Sequence, residues 1–311
     1  MALGGIFDQV GGGFARYSTD EKWHIPHFEK MLYDNAQLVS LYADAYLISQ
    51  KEIYKETVYN TLDFIEKELT NTEGAFYSAL DADSNTPEGH LEEGAFYIWT
   101  KKELKAILAK DFELFASYYN INDFGFWEEE KYNLIRKKSD ADFARQHEIA
   151  LDVLKSRVRT WKKALFEHRA DRERPRLDDK TLTSWNALML KGYLDAYRVF
   201  GEDKFLNIAT KNAHFIKNKQ LRSDGGLNHN YKNGKSSING YLEDYAAVID
   251  AYITMYECTM NEEWLQISKN LMDYCFAHFF NKTTHMFFFT SDMDESLITR
   301  KTEIHDNVIP A

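Results

Sequence analysis

Cysteine is nearly absent: Cys258 and Cys275 are the only two in 311 residues. They fall in separate helical patterns and form no C-x-x-C, so buried free thiols are expected rather than a redox pair. An excess of positive charge is also missing. The net charge of −11 argues against nucleic acid as a partner, because a phosphate backbone needs lysine and arginine. No apolar run approaches the roughly 20 residues that cross a bilayer, so no membrane partner is expected. The first residues, Met1-Ala2-Leu3-Gly4-Gly5, show no basic region or cleavage pattern, which makes a cytoplasmic location the expectation. The glycine-rich stretch with Gly4-Gly5 and Gly11-Gly12-Gly13 lacks the Lys-Ser/Thr of a phosphate loop and is not G-x-G-x-x-G. It reads as a loop whose backbone packs closely against something else, carrying Arg16, Tyr17 and Trp23. Neither a cofactor nor a metal is expected.

Aromatic residues, by contrast, are plentiful. They make up 15% of the chain within a hydrophobic share of 44%, enough for a sizeable core and for walls around a ring-shaped ligand. The length suits one large domain or two ordinary ones.

The chain is organised around Pro26-His27-Phe28-Glu29-Lys30-Met31-Leu32-Tyr33-Asp34-Asn35-Ala36. This run sets an imidazole, two carboxylates and an amide at the start of a helical pattern. There, unpaired N–H groups and the helix dipole favour anions and polar ligands. Capping is the competing role for Asp34 and Asn35. Apolar spacing predicts a helix from Leu32, a break near Gln50-Lys51, and a second helix through Leu69. Short strands are expected at Gly74–Ser78 and Gly94–Trp99, separated by a polar loop. Thr100 and Glu103 form a capping box, followed by two short helices over 101–119. An irregular stretch and one longer helix over about 141–168 come next.

The opening pattern then returns. Lys180-Thr181-Leu182-Thr183-Ser184-Trp185-Asn186 opens a helix pair through Gln220, and Asn233-Gly234 marks a β-hairpin. Glu243-Asp244 opens another pair through about Phe280, with a strand pair expected at Met286–Thr290 and Leu297–Lys301. The chain closes on His305-Asp306-Asn307-Val308. Asn35, Asn186, Asp244 and Asn307 hold the same place in this unit, the last two intervals being roughly 60 residues. Repeated helix pairs either stack into a solenoid or close into a ring whose inner helix ends converge on a cavity.

Three chemistries fit the residues at those helix starts. Glycoside cleavage needs two carboxylates, one kept protonated; candidates are Asp34, Asp81, Asp83, Asp179, Glu243 and Asp244. Asp81 and Asp83 share a face if the strand before them extends that far; the alternative is that each stabilises its own turn. Epimerisation needs a proton carrier near neutrality, for which His27 is best placed, with His229 and His305 as partners. His24-x-x-His27-x-Glu29 has zinc-compatible residue types but no full ligand set. Trp23, Tyr33, Trp99 and Trp185 are candidates to stack on a sugar face, with core or rim as the alternative. The expected catalytic set is His27, Asp34, Asp81, Asp83, Asp179 and Asp244. The expected binding set is Arg16, Trp23, Glu29, Tyr33, Asn35, Trp99, Lys180, Trp185, Asn186, His229 and Glu243.

Several of these runs are similar to a known family. Residues 4–14 and 26–36, Ala79-Leu80-Asp81-Ala82-Asp83-Ser84, Glu93-Gly94-Ala95-Phe96-Tyr97-Ile98-Trp99 and Asp179-Lys180 ahead of Trp185-Asn186 resemble the family called spermatogenesis-associated protein 20 or YyaL-like. The resemblance spans the whole chain. It implies an (α/α)6 toroid like that of N-acylglucosamine 2-epimerases and six-hairpin glycosidases, preceded in the family by a thioredoxin-like domain. The expectation is one all-α toroid domain over residues 1–311 with short β-hairpins at one end. It is expected to be incomplete, with about nine helices counted by periodicity, and to lack the thioredoxin-like part. The implied function is carbohydrate chemistry of epimerase or hydrolase type on a small sugar ligand. The alternative is a non-catalytic ligand-binding or docking module serving the thioredoxin-like domain.

Overall fold

A computed structural model describes residues 1–294 and 299–310. Ten α-helices occur among them: α1 (Leu32–Ser49), α2 (Glu52–Phe64), α3 (Lys101–Leu108), α4 (Phe112–Tyr119), α5 (Asp140–Gln146), α6 (Leu151–Arg169), α7 (Thr183–Phe200), α8 (Asp203–Phe215), α9 (Leu242–Thr259) and α10 (Glu262–His278). About half of the chain is helical, and its strands are short pairs. No helix of the described residues is long and apolar enough to cross a membrane.

The chain forms two compact units. One comprises Met1–Met31, Glu52–Phe64 and Ala79–Leu177; the other comprises Leu32–Lys51, Ile65–Ser78 and Asp178–Ala311.

In the first unit, aromatic and leucine side chains of α3, α4, α5 and α6 build a core that includes Leu104, Phe115, Tyr119, Phe143, Leu154 and Trp161. The predicted capping box is present: Thr100 Oγ1 accepts from Glu103 N, and Glu103 returns to Thr100 N. The single helix expected over 141–168 is two, α5 and α6. Glu148, between them, takes the left-handed backbone conformation at φ 53°, which no helix interior accommodates. The hairpin in this unit also differs from expectation. Asp83–Asn85 pairs with Leu91–Glu93, so it lies within the polar loop, while Gly94 to Ile98 turn rather than extend. The strand Ala79–Leu80 stops at Leu80, so Asp81 and Asp83 do not share a strand face.

The glycine-rich loop behaves as predicted. Gly12, at φ +78°, sits where a Cβ would fall 2.2 Å from the Asn60 carbonyl oxygen. The loop is fixed from inside by Asp8. Arg169 Nη1 donates to both Asp8 oxygens, at 3.1 and 2.9 Å, and Lys30 Nζ donates at 2.9 Å. All three side chains are buried. Burial favours a neutral Asp8, but the Arg169 and Lys30 charges and the Gly11 N–H overcome it and hold the carboxyl far below the usual range.

In the second unit, α7 is the central helix and packs against α1, α8 and α9, while α9 also packs against α10. Its sequence explains this: Asn186, Ala187, Met189, Leu190, Tyr193, Leu194 and Ala196 are all buried. Gly192 permits the close approach of α1, since a Cβ there would stand 3.1 Å from Ala36 O. Thr181–Leu182, Asn228–Lys232 and Lys235–Asn239 form an antiparallel sheet, turned at Asn233-Gly234 as expected. Of the last predicted strand pair, Met286–Phe287 pairs instead with Phe280–Asn281. Leu297 lies outside the described residues, and Phe289 N donates to Lys301 O at 2.7 Å. Residues 305–310 form no helix.

Asn186 sits at the centre of a buried amide network. Its Oδ1 accepts from Phe76 N at 2.8 Å and from Asn212 Nδ2 at 3.1 Å; its Nδ2 donates to Phe76 O and Leu182 O at 3.0 and 2.9 Å. Replacing Asn186 by alanine leaves the Phe76 N–H and carbonyl unpaired in the interior. The expected cost is about 1–3 kcal/mol for each orphaned group, read as a lower denaturant midpoint with unchanged slope. A midpoint within error of the parent would show that these bonds are replaceable.

Candidate functional site

The second unit holds the more complete constellation. Asp244 lies in the first turn of α9 with no exposed surface. Its Oδ2 accepts from Tyr241 N at 2.9 Å, capping its own helix, and its Oδ1 accepts from Ser184 N at 2.8 Å in the first turn of α7. The same Oδ2 lies 2.9 Å from Nδ1 of His229, on the strand Asn228–Lys232. A carboxylate only accepts, so His229 Nδ1 carries the proton in this contact, and Nε2 is left to give or take one. Asp244 thus caps its own helix and also holds the start of α7 and the His229 ring.

Burial of His229 disfavours its charged form. The Asp244 hydrogen bond and the Asp244 and Glu243 charges outweigh it and raise the imidazole above its ordinary value. Glu243 is half-buried beside them. Burial first and the Asp244 charge second push its carboxyl upward, with His229 opposing. A carboxyl and an imidazole, both shifted upward, therefore stand next to a buried carboxylate with three hydrogen-bond partners. Aromatic rings border the group on one side: Tyr241 meets His229 edge-on at 4.8 Å and stacks on Phe289 at 4.9 Å. Separately, Trp185 meets Tyr33 at 4.7 Å. Trp185, which follows Ser184 directly, is half-buried.

The other residues expected in this unit divide clearly. Asn35 and Asn186 are fully buried, and Asn186 spends its amide on backbone, so neither faces a ligand; this corrects their assignment to binding. Asp34 sits half-buried in the first turn of α1. Asp179 pairs with Lys232 at 2.5 Å, and Lys180 with Asp178 at 3.0 Å. These contacts lie at the Asn233-Gly234 end of the sheet, away from His229. His305 is exposed.

In the first unit, His27 Nδ1 lies 2.7 Å from Glu93 Oε1 and its Nε2 3.8 Å from Glu29, which Arg16 holds at 3.3 Å. Tyr17 stacks on the His27 ring at 5.1 Å. Asp81 pairs with Arg176 at 3.2 Å and accepts from Ala82 N, which is the turn-stabilising alternative; Asp83 is half-buried in its hairpin strand. Trp23 is 43% exposed. Trp99 is 1% exposed, with Arg172 4.1 Å over its ring, and belongs to the core of this unit. His24 is buried, its Nε2 3.1 Å from the Asn133 carbonyl, a structural role.

Sequence reasoning missed Ser184, Tyr241 and Glu93. Tyr241 follows Gly240 at a helix start, a readable signal. The part played by Ser184 is a backbone N–H, which no side-chain motif announces.

The His229–Asp244 pair gives stability a predictable pH dependence. A group whose folded value is raised contributes fully below its unfolded value and loses that contribution as pH rises through the folded one. For His229 the contribution is complete below the ordinary 6.5 and is lost above it. Melting temperature is expected to fall through this window in the parent, and the fall to be smaller in His229→Gln. Equal slopes in the two proteins would refute the raised imidazole.

Two solved structures have the same fold over most of this chain. Cellobiose 2-epimerase from Spirochaeta thermophila superposes with a TM-score of 0.53 at 10% identity, covering 88% of this chain and 49% of that one. An unsaturated glucuronyl hydrolase specific for heparin gives 0.50 at 10% identity, covering 91% and 56%. At that identity the likeness defines the fold alone: the α/α toroid class of six-hairpin glycosidases and 2-epimerases. Among sequences, human spermatogenesis-associated protein 20 is 33% identical over 302 residues, 88% of this chain and 38% of its own length. An uncharacterized Caenorhabditis elegans protein is 34% identical over 337 residues, all of this chain and 46% of its own. The chain belongs to the spermatogenesis-associated protein 20 family and spans less than half the length of these relatives. No protein-family model matches it.

Proposed function

We propose that this chain is the sugar-processing part of a carbohydrate-active enzyme, using proton transfer of the 2-epimerase kind. The observation that carries the reading is the His229 imidazole fixed by a fully buried Asp244, with Glu243 beside it shifted toward neutrality. Moving a proton at the carbon next to a carbonyl needs one group to take it and one to return it. His229 Nε2 and the Glu243 carboxyl suit those tasks, and Asp244 positions the imidazole. The two-carboxylate hydrolase mechanism suits this site less well. It needs a second carboxylate free to attack or to activate water, and both Asp244 oxygens are occupied. The bordering aromatic rings and the fold shared with sugar epimerases favour a sugar as the substrate. In the family resemblance a thioredoxin-like domain accompanies this part, as a partner within the longer protein.

The test is a panel of mono- and disaccharides incubated with the chain and followed by NMR. Interconversion of epimers is the expected result. Release of a new reducing end would establish the hydrolase class instead. Saturable sugar binding without any turnover would make the chain a non-catalytic binding module.

A further inference from the structure

In the first unit, the hairpin strands Asp83–Asn85 and Leu91–Glu93 and the residues at the end of α6 wall a cavity of about 880 Å³. That volume suits a small-molecule site. Ala95, Ile98 and Trp99 give the lining an apolar part. Trp99 is buried, and its Nε1 has no hydrogen-bond partner, an unpaired donor of a kind that native interiors rarely leave. The charged part is unbalanced: Glu88, Glu92, Glu103, Asp171 and Glu173 face only Lys131, Arg172 and the His168 ring. The cations are already matched. Arg172 Nη2 donates to Glu103 Oε1 at 2.7 Å and its Nη1 to the Ile98 carbonyl at 2.7 Å, while Lys131 Nζ pairs with Glu92 at 3.0 Å. His168 lies 3.6 Å from Glu103, and Glu173 accepts from Asn85 Nδ2 at 2.7 Å. Glu88 and Asp171 are exposed, and among the described residues neither carboxylate has a hydrogen bond or an ion pair. Asp171 also follows the C-terminal end of α6, the negative pole of that helix.

We infer that this cavity binds a small organic amine, its apolar body against Ala95, Ile98 and Trp99 and its ammonium beside Glu88 and Asp171. An oxygen on the body would give the Trp99 N–H the acceptor it lacks. Exposed carboxylates are common on a chain of net charge −11; the cavity and the buried, unpaired indole N–H beside these two set them apart. An inorganic cation would leave the apolar lining unused, and among the described residues no group of three His, Cys, Asp or Glu could hold a metal ion. An anion of the same shape would meet unmatched carboxylates, so the selection works by repulsion as well as attraction. The inference does not depend on the sugar-processing reading, since the cavity lies in the first unit and none of its residues belongs to the His229 group.

The experiment is calorimetric titration of the chain with three probes that share a hydroxyphenyl body: tyramine, tyrosol and 4-hydroxyphenylacetate. At neutral pH they carry a positive charge, no charge and a negative charge. Tyramine is expected to bind about three- to tenfold more tightly than tyrosol, the effect of two exposed carboxylates, and 4-hydroxyphenylacetate more weakly than either. Raising salt should narrow these gaps. The Glu88→Gln/Asp171→Asn chain, altered only at exposed positions, should fold as the parent does and bind tyramine and tyrosol alike. In the parent, the Trp99 indole N–H signal in NMR is expected to shift as tyramine is added. Equal binding of the three probes overturns the choice of an amine. A tyramine preference that survives the double substitution reflects the overall charge of the chain and overturns the site. Failure of every probe to bind, or binding that leaves the Trp99 signal unmoved, overturns it as well.

Discussion

His229→Gln is expected to reduce turnover by about a hundredfold to ten-thousandfold, the range for removal of a positioned acid or base. Glutamine retains an N–H that can reach Asp244, so the buried carboxylate keeps a donor in addition to Ser184 N and Tyr241 N. What the variant lacks is an atom that exchanges a proton near neutral pH. Substrate affinity should therefore change far less than kcat. Asp244→Asn tests the positioning role separately. It should lower kcat and shift the acid limb of the pH profile, because the imidazole loses the charge that raises it. A His229→Gln chain with parental kcat would remove His229 from the chemistry, and Asp244 would return to being a helix cap that happens to touch a histidine.

The largest expected stability effect lies elsewhere, at Asp8. Its carboxylate joins Arg169 and Lys30 in the interior of the first unit and also accepts from the Val10 and Gly11 N–H groups. Asp8→Ala leaves two buried cations without their shared counter-ion. Breaking a buried pair in this way costs about 3–5 kcal/mol, and here two pairs break at once. Guanidinium unfolding should show a midpoint shift of that size, whereas Lys269→Ala, which removes a pair exposed on both sides, should show almost none. Equal small shifts would mean that water already reaches the Asp8 cluster. The cations also lie over aromatic rings, Lys30 above Phe64 and Tyr97, and Arg169 above Phe96. Those contacts partly compensate the loss, so the aromatic positions modulate its size.

Much of the helical frame was legible because its signals are local. The break at Gln50, the Thr100–Glu103 box and the Asn233-Gly234 turn depend on residues within a few positions of each other. The α5–α6 break was not legible, because nothing in the apolar spacing marks Glu148 as a residue that adopts positive φ. The proposed site was legible as a set of candidates but not in its hydrogen bonding. His229, Glu243 and Asp244 were each singled out by type and place. That Asp244 is held from two helix starts depends on Ser184 N, 60 residues away in sequence. Asn186 shows the converse. An amide at a helix start reads as a ligand group until its four hydrogen bonds are seen to be internal. Trp99 fails for the same reason, since burial is a property of what packs on a ring rather than of the ring itself. Asp8 was passed over because a lone acid in a glycine-rich loop reads as turn chemistry, and both its cationic partners come from distant parts of the chain.

The measurement that bears most directly on the central claim is the NMR titration of the His229 ring, in the parent chain and in Asp244→Asn. The account predicts a midpoint above the ordinary 6.5 in the parent, a lower midpoint in Asp244→Asn, and a displaced ring signal when a bound neutral sugar is added. A parent midpoint at or below 6.5, unchanged by Asp244→Asn and indifferent to sugar, would contradict it.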